Sequence, residues 1–379
     1  MRRTAAKALR IAAAAFVIAL GAVAIVAIVD ERSWPAGQVA AVTVLATTEH
    51  TPFLRWVVAV LSKEPRVEET VVAGAPSTVV RPGGGRRWPA IVFVNGATRD
   101  GRHHPQVQRL ARGLARAGFL VVVPDLPGLR LGEITPATTA ATVRVTEATA
   151  DRPDVREGRV GLYGVSVGAS LALLAAETTP LASRITVVGG EAPWVDLKRV
   201  VRLASTGYYR SARYETDPYA LLAIARSLAA GLPPGGGRSR LLRELEAVPD
   251  ESPEPLADVS RAGYTGGTRA LVDLLLNREP ARFEELYASL PARLRAAVRS
   301  LSPFFGADRL DAPVELASAP HDSYFPPAES RALARASPRV NVTVTSTFDH
   351  ALPRPSVREL GDVFRFDGFV VRFLRAARG

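Results

Sequence analysis

The stretch 161–170, GLYGVSVGAS, places Ser166 between Gly164 and Gly168. The apolar run RVGLYG, at 159–164, comes directly before the serine, and an Ala- and Leu-rich run follows it. A serine held in a sharp turn between a strand and a helix needs glycines two residues away on each side, because larger residues leave no room for the bend. The alternative is that Ser166 is only a small packing residue in such a turn.

Apolar runs like the one before Ser166 recur along the chain and alternate with amphipathic stretches. They are continuous and rich in β-branched residues, as in strands that are buried on both faces. Strands that alternate with helices in this way predict an α/β fold with a doubly wound, mostly parallel sheet. The runs are AIVFV at 90–94, FLVVVPD at 119–125, RITVVGG at 184–190, APVELAS at 312–318 and VNVTVTS at 340–346.

The alternation is interrupted between 195 and 305, where strand-like runs are missing and the patterns favour helices. A helical insertion between two strands of such a sheet predicts a cap over its carboxyl edge, where ligands bind. We expect helices at 218–230, 239–247, 266–278 and 280–299. The expected division is a linker with a short helix at 31–65, a first part of the core at 66–194, the cap at 195–305 and a second part of the core at 306–379.

The N-terminal segment, 1–30, is predicted to be a transmembrane helix that contacts the membrane through residues 8–29. Residues 11–29 carry no charge, and as a helix they reach about 28 Å, enough for a hydrocarbon core. Basic residues precede this run and acidic residues follow it, so the rest of the chain is expected outside the cytoplasm. The alternative is a signal peptide cleaved after AVA at 22–24, which would make the protein secreted. A second apolar run, PFLRWVVAVL at 52–61, is too short to span and is read as the short helix of the linker.

Composition excludes several classes of site. The 379-residue chain has no cysteine, which rules out disulfides and cysteine-ligated metals. The net charge of +11 comes from scattered arginines without interleaved aromatic residues, so we expect no nucleic-acid partner. No H-E-x-x-H occurs, and the Gly-rich run at 81–87 lacks the context of a nucleotide loop. We therefore expect neither a metal nor a cofactor.

A serine nucleophile needs a histidine base and a carboxylate that orients the base. His350 follows the last predicted strand, and Asp322 follows the strand before it. The order serine, acid, histidine along the chain is the one used by α/β folds that hold a nucleophilic serine in a sharp turn between a strand and a helix. His321 and Asp349 each neighbour a member of this set, and adjacent residues in an extended loop point apart, which makes them poorer candidates.

Three further residues have open interpretations. Asp125, after the strand at 119–125, is either structural or a fallback acid. His103 and His104 precede a predicted helix, where they cap it, touch substrate or lie on the solvated surface.

The chain from 66 to 377 resembles the α/β-hydrolase family, in the group of bacterial esterase-like proteins. The motifs that carry the resemblance are VFVNGA, VVVPDLPG, GLYGVSVGAS, APVELASAPHDSYFPPAES and FDHA, in this order. The resemblance implies that Ser166 is the nucleophile, that His350 is the general base and then the general acid, and that Asp322 fixes the imidazole.

The resemblance also implies an oxyanion hole formed by the backbone N–H groups of Ala97 and Val167. Where the family often has His-Gly, this chain has Asn95 and Gly96, which leaves the geometry of that loop open.

The predicted function is that of a serine hydrolase that cleaves a small, hydrophobic carboxylic ester through an acyl-enzyme. Two alternatives use the same triad: transfer of the acyl group to an acceptor other than water, and cleavage of a thioester or amide. A third alternative is a catalytically silent protein that uses the cap as a binding surface.

Overall fold

The computed structural model describes residues 30–48, 62–350, 352–353 and 360–379. The segment predicted to cross the membrane and the short helix expected at 52–61 lie outside these residues. In the part of the chain that is described, no helix is both long and apolar enough to span a bilayer.

Eight strands form one sheet in the described residues. They are β1 Arg66–Val72, β2 Ala75–Arg81, β3 Trp88–Val94, β4 Leu120–Pro124, β5 Val155–Val165, β6 Ile185–Glu191, β9 Val314–Ser318 and β10 Val340–Val344. Their order in the sheet is β1-β2-β4-β3-β5-β6-β9-β10. Strand β2 is antiparallel to both of its neighbours, β1 and β4, and all other neighbouring strands are parallel. Two short hairpins pair β7 Tyr208–Tyr209 with β8 Ala212–Arg213, and β11 Phe348–Asp349 with β12 Leu352–Pro353.

Helices cover both faces of the sheet. Strand β3 shows how the faces are separated: Ala90 and Val92 belong to one hydrophobic cluster, and Ile91 and Phe93 belong to the other. This alternation follows from the two-residue period of a strand. One face carries α1 Trp34–Thr48, α2 Pro105–Arg116 and α13 Leu360–Ala376, and the other carries α3 Pro136–Ala150, α4 Val167–Ala176 and α12 Ala328–Ala336. The fold is therefore the expected α/β-hydrolase fold, with a mostly parallel, doubly wound sheet.

The chain between β6 and β9 is mainly helical and lies beside the carboxyl edge of the sheet. The helix expected at 280–299 is two helices, because Pro291 lies between them and cannot continue the first. A short helix, α5 Thr179–Ala182, precedes β6 and lies outside this segment. The α-helices between β6 and β9 are α6 Leu197–Thr206, α7 Pro218–Ala230, α8 Gly236–Glu246, α9 Gly266–Leu275, α10 Phe283–Ala288 and α11 Ala292–Ser300.

Residues 34–48 lie in the segment predicted to be a linker. In the structure they form helix α1, which packs against α2 and α13. Ala40, Ala41 and Val44 are buried in that contact. Packing is close: a Cβ on Gly37 would lie 2.8 Å from the Val371 side chain. The sequence 34–48 is apolar on all sides rather than on one face, so it lacks the period that marks a surface helix.

The strand order places a crevice at the carboxyl ends of β3 and β5. From β3 the chain moves to β4 on one side, and then returns to β5 on the other side. Loops that leave adjacent strands in opposite directions open a cleft between them, and ligands bind there in open α/β sheets. Ser166 follows β5 directly, and Asn95 follows β3 directly.

Candidate active site

Ser166 occupies a strained turn between β5 and α4. Its φ and ψ are 55° and −124°, outside the regions that side chains ordinarily adopt. The flanking glycines are sterically required, since a Cβ on Gly164 would lie 2.3 Å from the Gly168 carbonyl oxygen, and one on Gly168 would lie 2.0 Å from that of Val94. The Ser166 N–H donates to the Glu191 carbonyl at 2.7 Å, which ties the turn to the end of β6.

The structure brings Ser166, Asp322 and His350 together. The Ser166 Oγ lies 2.7 Å from His350 Nε2, and His350 Nδ1 lies 3.0 and 3.1 Å from the two carboxylate oxygens of Asp322. With a proton on Nδ1, Nε2 is the acceptor that faces the serine hydroxyl. The three side chains thus form a continuous hydrogen-bonded chain with the geometry of a nucleophile, a base and its orienting acid.

The Asp322 carboxylate is fixed by its own loop. The side chain is fully buried, and its Oδ1 accepts hydrogen bonds of 2.8 Å from the backbone N–H groups of Tyr324 and Phe325. The Tyr214 hydroxyl, from the cap, donates to the Asp322 carbonyl at 2.6 Å. Because two N–H donors hold one oxygen, the carboxylate cannot rotate away from the imidazole without losing them.

Aromatic rings enclose the His350 imidazole. The Tyr324 ring lies over it with a centroid distance of 4.2 Å and an interplanar angle of 33°. The Phe325 ring meets it edge to face, with a centroid distance of 5.6 Å. These contacts leave Nε2 directed toward Ser166.

The proposed oxyanion donors lie at the crevice between β3 and β5. Ala97 and Val167 both line the cavity at Ser166. Val167 is the first residue of α4, so its N–H has no acceptor within the helix. Asn95 is buried and its Nδ2 donates to the Gly96 carbonyl at 2.9 Å, within its own loop. A Cβ on Gly96 would lie 3.5 Å from the Ser166 Cβ, which shows how closely this loop approaches the serine.

Asp125 takes the structural role. It accepts a hydrogen bond of 2.9 Å from the Arg102 N–H and forms an ion pair with the Arg102 guanidinium. These contacts hold the loop after β3, and Asp125 is not a partner of His350. His103 and His321 are exposed, whereas His104 is half-buried and lines the cavity.

Glu191 and Tyr163 were not singled out from the sequence. Glu191 ends β6, and its carboxylate accepts a hydrogen bond from the Tyr163 hydroxyl inside the cavity lining. Burial raises the pKa of Glu191, and the Tyr163 hydrogen bond opposes that rise. The available signal was position, since Glu191 directly follows the apolar run at 184–190, and functional side chains collect at the carboxyl ends of such strands.

A cavity of about 950 Å³ passes along Ser166 and His350. Most of its lining is apolar or aromatic and comes from helices on both sides of the sheet edge. Within the described residues, no group of three or more histidine, aspartate or glutamate side chains is arranged to hold a metal ion.

Comparison with known proteins points to hydrolases. The model of the X-Pro dipeptidyl-peptidase (S15 family) matches residues 76–262, just under half of the chain. This region contains Ser166 but neither Asp322 nor His350. No curated protein matches the chain. The family match and the triad geometry support a serine hydrolase.

Solved structures with similar folds include peptidases and esterases. A puromycin-hydrolyzing peptidase of Mycobacterium tuberculosis is 19% identical, with 83% of this chain and 38% of that chain covered and a TM-score of 0.46. Dipeptidyl peptidase 4 of Porphyromonas gingivalis is 12% identical, with 86% and 38% covered and a TM-score of 0.48. A hyperthermophilic esterase of Pyrobaculum calidifontis is 17% identical, with 85% and 87% covered and a TM-score of 0.45. The chain thus spans less than two fifths of the length of the first two proteins.

Proposed function

We propose that this protein is a serine hydrolase that cleaves a hydrophobic carboxylic ester through an acyl-enzyme. The observation that carries the proposal is the unbroken hydrogen-bonded chain from the Ser166 Oγ through His350 to the buried Asp322 carboxylate. The apolar lining of the cavity beside it supports a hydrophobic substrate over a charged one.

Each residue has a distinct step in this mechanism. The Ser166 Oγ attacks the ester carbonyl carbon while its proton passes to His350 Nε2, and the developing oxyanion is held by the N–H groups of Ala97 and Val167. His350 then gives that proton to the departing alcohol oxygen, which leaves an acyl group on Ser166. A water molecule loses a proton to His350 and attacks the acyl carbon, and return of the proton to Oγ releases the acid. Asp322 stabilises the imidazolium in both halves.

Replacement of the nucleophile tests this proposal. We expect Ser166→Ala to abolish hydrolysis of a p-nitrophenyl ester and to leave the thermal unfolding midpoint unchanged. Ser260→Ala, at an exposed position of the cap, is the matched control and should keep full activity. Full turnover in Ser166→Ala would refute the proposal.

A peptide bond is the second candidate substrate, favoured by the match to the X-Pro dipeptidyl-peptidase (S15 family). The same triad cleaves amides when His350 protonates the departing nitrogen. Assay of p-nitrophenyl esters beside X-Pro p-nitroanilides separates the two. Our proposal predicts higher kcat/KM for the esters, and faster cleavage of the anilides would favour the peptidase. Product analysis with added alcohol acceptors tests acyl transfer in the same assay.

We also propose that residues 8–29 attach the protein to a membrane, with the hydrolase outside the cytoplasm. The support is the uncharged run at 11–29 and the basic residues before it. Cell fractionation of the full chain and of a variant lacking residues 2–29 tests this. The full chain should sediment with membranes, and recovery of both forms in the soluble fraction would contradict the proposal.

A further inference from the structure

The cavity at Ser166 continues in two directions, and each part is lined by helices on a different face of the sheet. On one side it runs beneath α1, α2 and α13; we name this the helix arm, lined by Val44, Leu110, Leu114, Phe369 and Val370. On the other side it runs beneath the cap; we name this the cap arm, lined by Ile134, Val200, Ala223, Ile224 and Leu228. Ser166 and His350 lie between the arms, because they sit at the edge of the sheet that separates the two layers.

Several polar side chains that line the two arms have partners in the protein. In the helix arm, Gln38 Nε2 donates to Asp367 at 2.8 Å, and the Tyr163 hydroxyl donates to Glu191. In the cap arm, the Ser227 hydroxyl lies 2.8 Å from the carbonyl oxygens of Gly132 and Ala223, which share its one proton, and it accepts from the Ile134 N–H at 2.9 Å. Because these groups are satisfied within the protein, they do not favour a polar ligand, and the apolar side chains of each arm gain most from burying hydrocarbon.

An ester at Ser166 has two groups that leave the carbonyl carbon in different directions, the acyl chain and the alcohol. A site with a single pocket would take one large group and leave the other in solvent. Here an apolar arm is available for each. From this placement we propose that the substrate is a lipid-like ester with an apolar group on both sides of the scissile bond, one group in each arm. This inference rests on the proposed ester hydrolase.

Blocking each arm separately tests the inference. Leu110→Trp narrows the helix arm, and Ala223→Trp narrows the cap arm; both positions are half-buried and line the cavity. Arg243→Trp, at an exposed position of α8 outside the cavity, is the control for the added indole. Each variant is assayed with two series of aliphatic esters: one lengthens the acyl chain on methanol, and the other lengthens the alcohol on acetic acid.

We expect each variant to lose activity on the longer esters of one series, and the affected series should differ between the two variants. One should lose about tenfold or more in kcat/KM for long acyl chains with the alcohol series unchanged, and the other should show the reverse, the size expected when a hydrophobic pocket loses room for a methylene or two. Turnover of methyl acetate by each variant is the reference against which its two ester series are compared, and Arg243→Trp should alter neither series.

Other outcomes overturn the inference. The two-arm inference is wrong if both variants lose activity on the longer esters of the same series. It is also wrong if neither variant loses activity on long esters while methyl acetate is hydrolysed. In both cases the proposed ester hydrolase stands. If the wild type neither hydrolyses methyl acetate nor reacts with a fluorophosphonate, the proposed function fails and the inference with it.

Discussion

The His350 imidazole is held from three sides by groups of different chemistry. Asp322 accepts the hydrogen bond from Nδ1, the Tyr324 ring covers one face, and the Ser166 hydroxyl lies at Nε2. His350 itself has a φ of 51°, an uncommon conformation for a non-glycine residue. Strain of this kind persists only where surrounding contacts determine it, so the loop around His350 is built to place one ring.

Asp322→Asn tests the orienting role of the carboxylate. The amide keeps an oxygen for the N–H groups of Tyr324 and Phe325, so the fold should survive, but it no longer favours the tautomer with Nε2 free to accept. We expect kcat to fall about 10³- to 10⁴-fold with little change in the unfolding midpoint. Asp258→Asn, on the exposed cap surface, should keep wild-type activity. A loss smaller than about tenfold would argue against this role.

Tyr324 is a positioning residue, because it acts through His350. Tyr324→Phe keeps the ring, and Tyr324→Leu removes it. We expect kcat on a short ester to fall about ten- to a hundredfold in the Leu variant, since a misplaced base reacts slowly, while KM changes little. The Phe variant should retain most of the activity. Equal kcat values in the two variants would show that the ring does not position the imidazole.

Among the residues of the candidate site, those that belong to a motif could be predicted from the sequence. Ser166, Asp322 and His350 follow strands in a recognisable order, so their meeting could be expected. Tyr324 and Glu191 could not be identified in this way, because their contacts depend on the path of a loop and on which face of a strand each side chain takes.

Helix α4 begins directly after the candidate nucleophile and ends directly before a buried carboxyl group. Glu177, just after the helix, is almost fully buried, and its nearest cation is Arg309 at 3.5 Å. Burial raises the pKa of Glu177 to about 8, opposed by the attraction of Arg309. The partial negative charge at the end of α4 also disfavours the carboxylate.

The raised pKa predicts how stability depends on pH. Between about pH 4.5 and 8, the unfolded chain loses the Glu177 proton while the folded protein keeps it, so the free energy of unfolding falls as the pH rises. In Glu177→Gln the side chain is neutral at every pH, so this fall in the free energy of unfolding does not occur. We expect the variant to gain on the order of 3 kcal/mol over the wild type at pH 8.5 and much less at pH 5, measured by urea unfolding. Glu251→Gln, at an exposed position, controls for the lost charge. A difference that does not widen with pH would contradict the prediction.

The sequence predicted strands better than helices at the scale of elements. Strands β3, β4 and β6 and the second half of β5 are continuous, mainly apolar runs, which have few other interpretations. No helix is expected from the sequence at 34–48, within the predicted linker, because a helix that is apolar on all sides shows no amphipathic period. Its place against α2 and α13 is a tertiary contact between residues far apart in the chain.

Across the whole molecule, one buried arginine joins the cap to the core. Arg226, in α7, pairs with Asp250 at 2.7 Å and donates to the Leu245 and Val248 carbonyls within the cap. It also reaches the Leu131 carbonyl, in the turn after β4, at 3.5 Å. Arg99, in the loop after β3, binds the same Asp250 from the core side at 2.8 Å.

Arg226→Met should loosen the cap. The substitution keeps the bulk of the side chain but leaves buried carbonyls and a carboxylate short of a partner. We expect a loss of about 3–5 kcal/mol in unfolding free energy, together with faster hydrogen exchange over 218–246 than over the strands. Arg243→Met, at an exposed position of the cap, should change neither measurement. Unchanged exchange over 218–246 would contradict this role.

Covalent labelling measures whether Ser166 is an activated nucleophile. Wild-type protein and His350→Ala would be treated with a fluorophosphonate and digested, and the modified peptide would be identified by mass spectrometry. We predict one phosphonyl group on Ser166 in the wild type, and slow or no modification in His350→Ala. No modification of Ser166, or modification that proceeds equally fast without His350, would contradict the activation of Ser166 by His350.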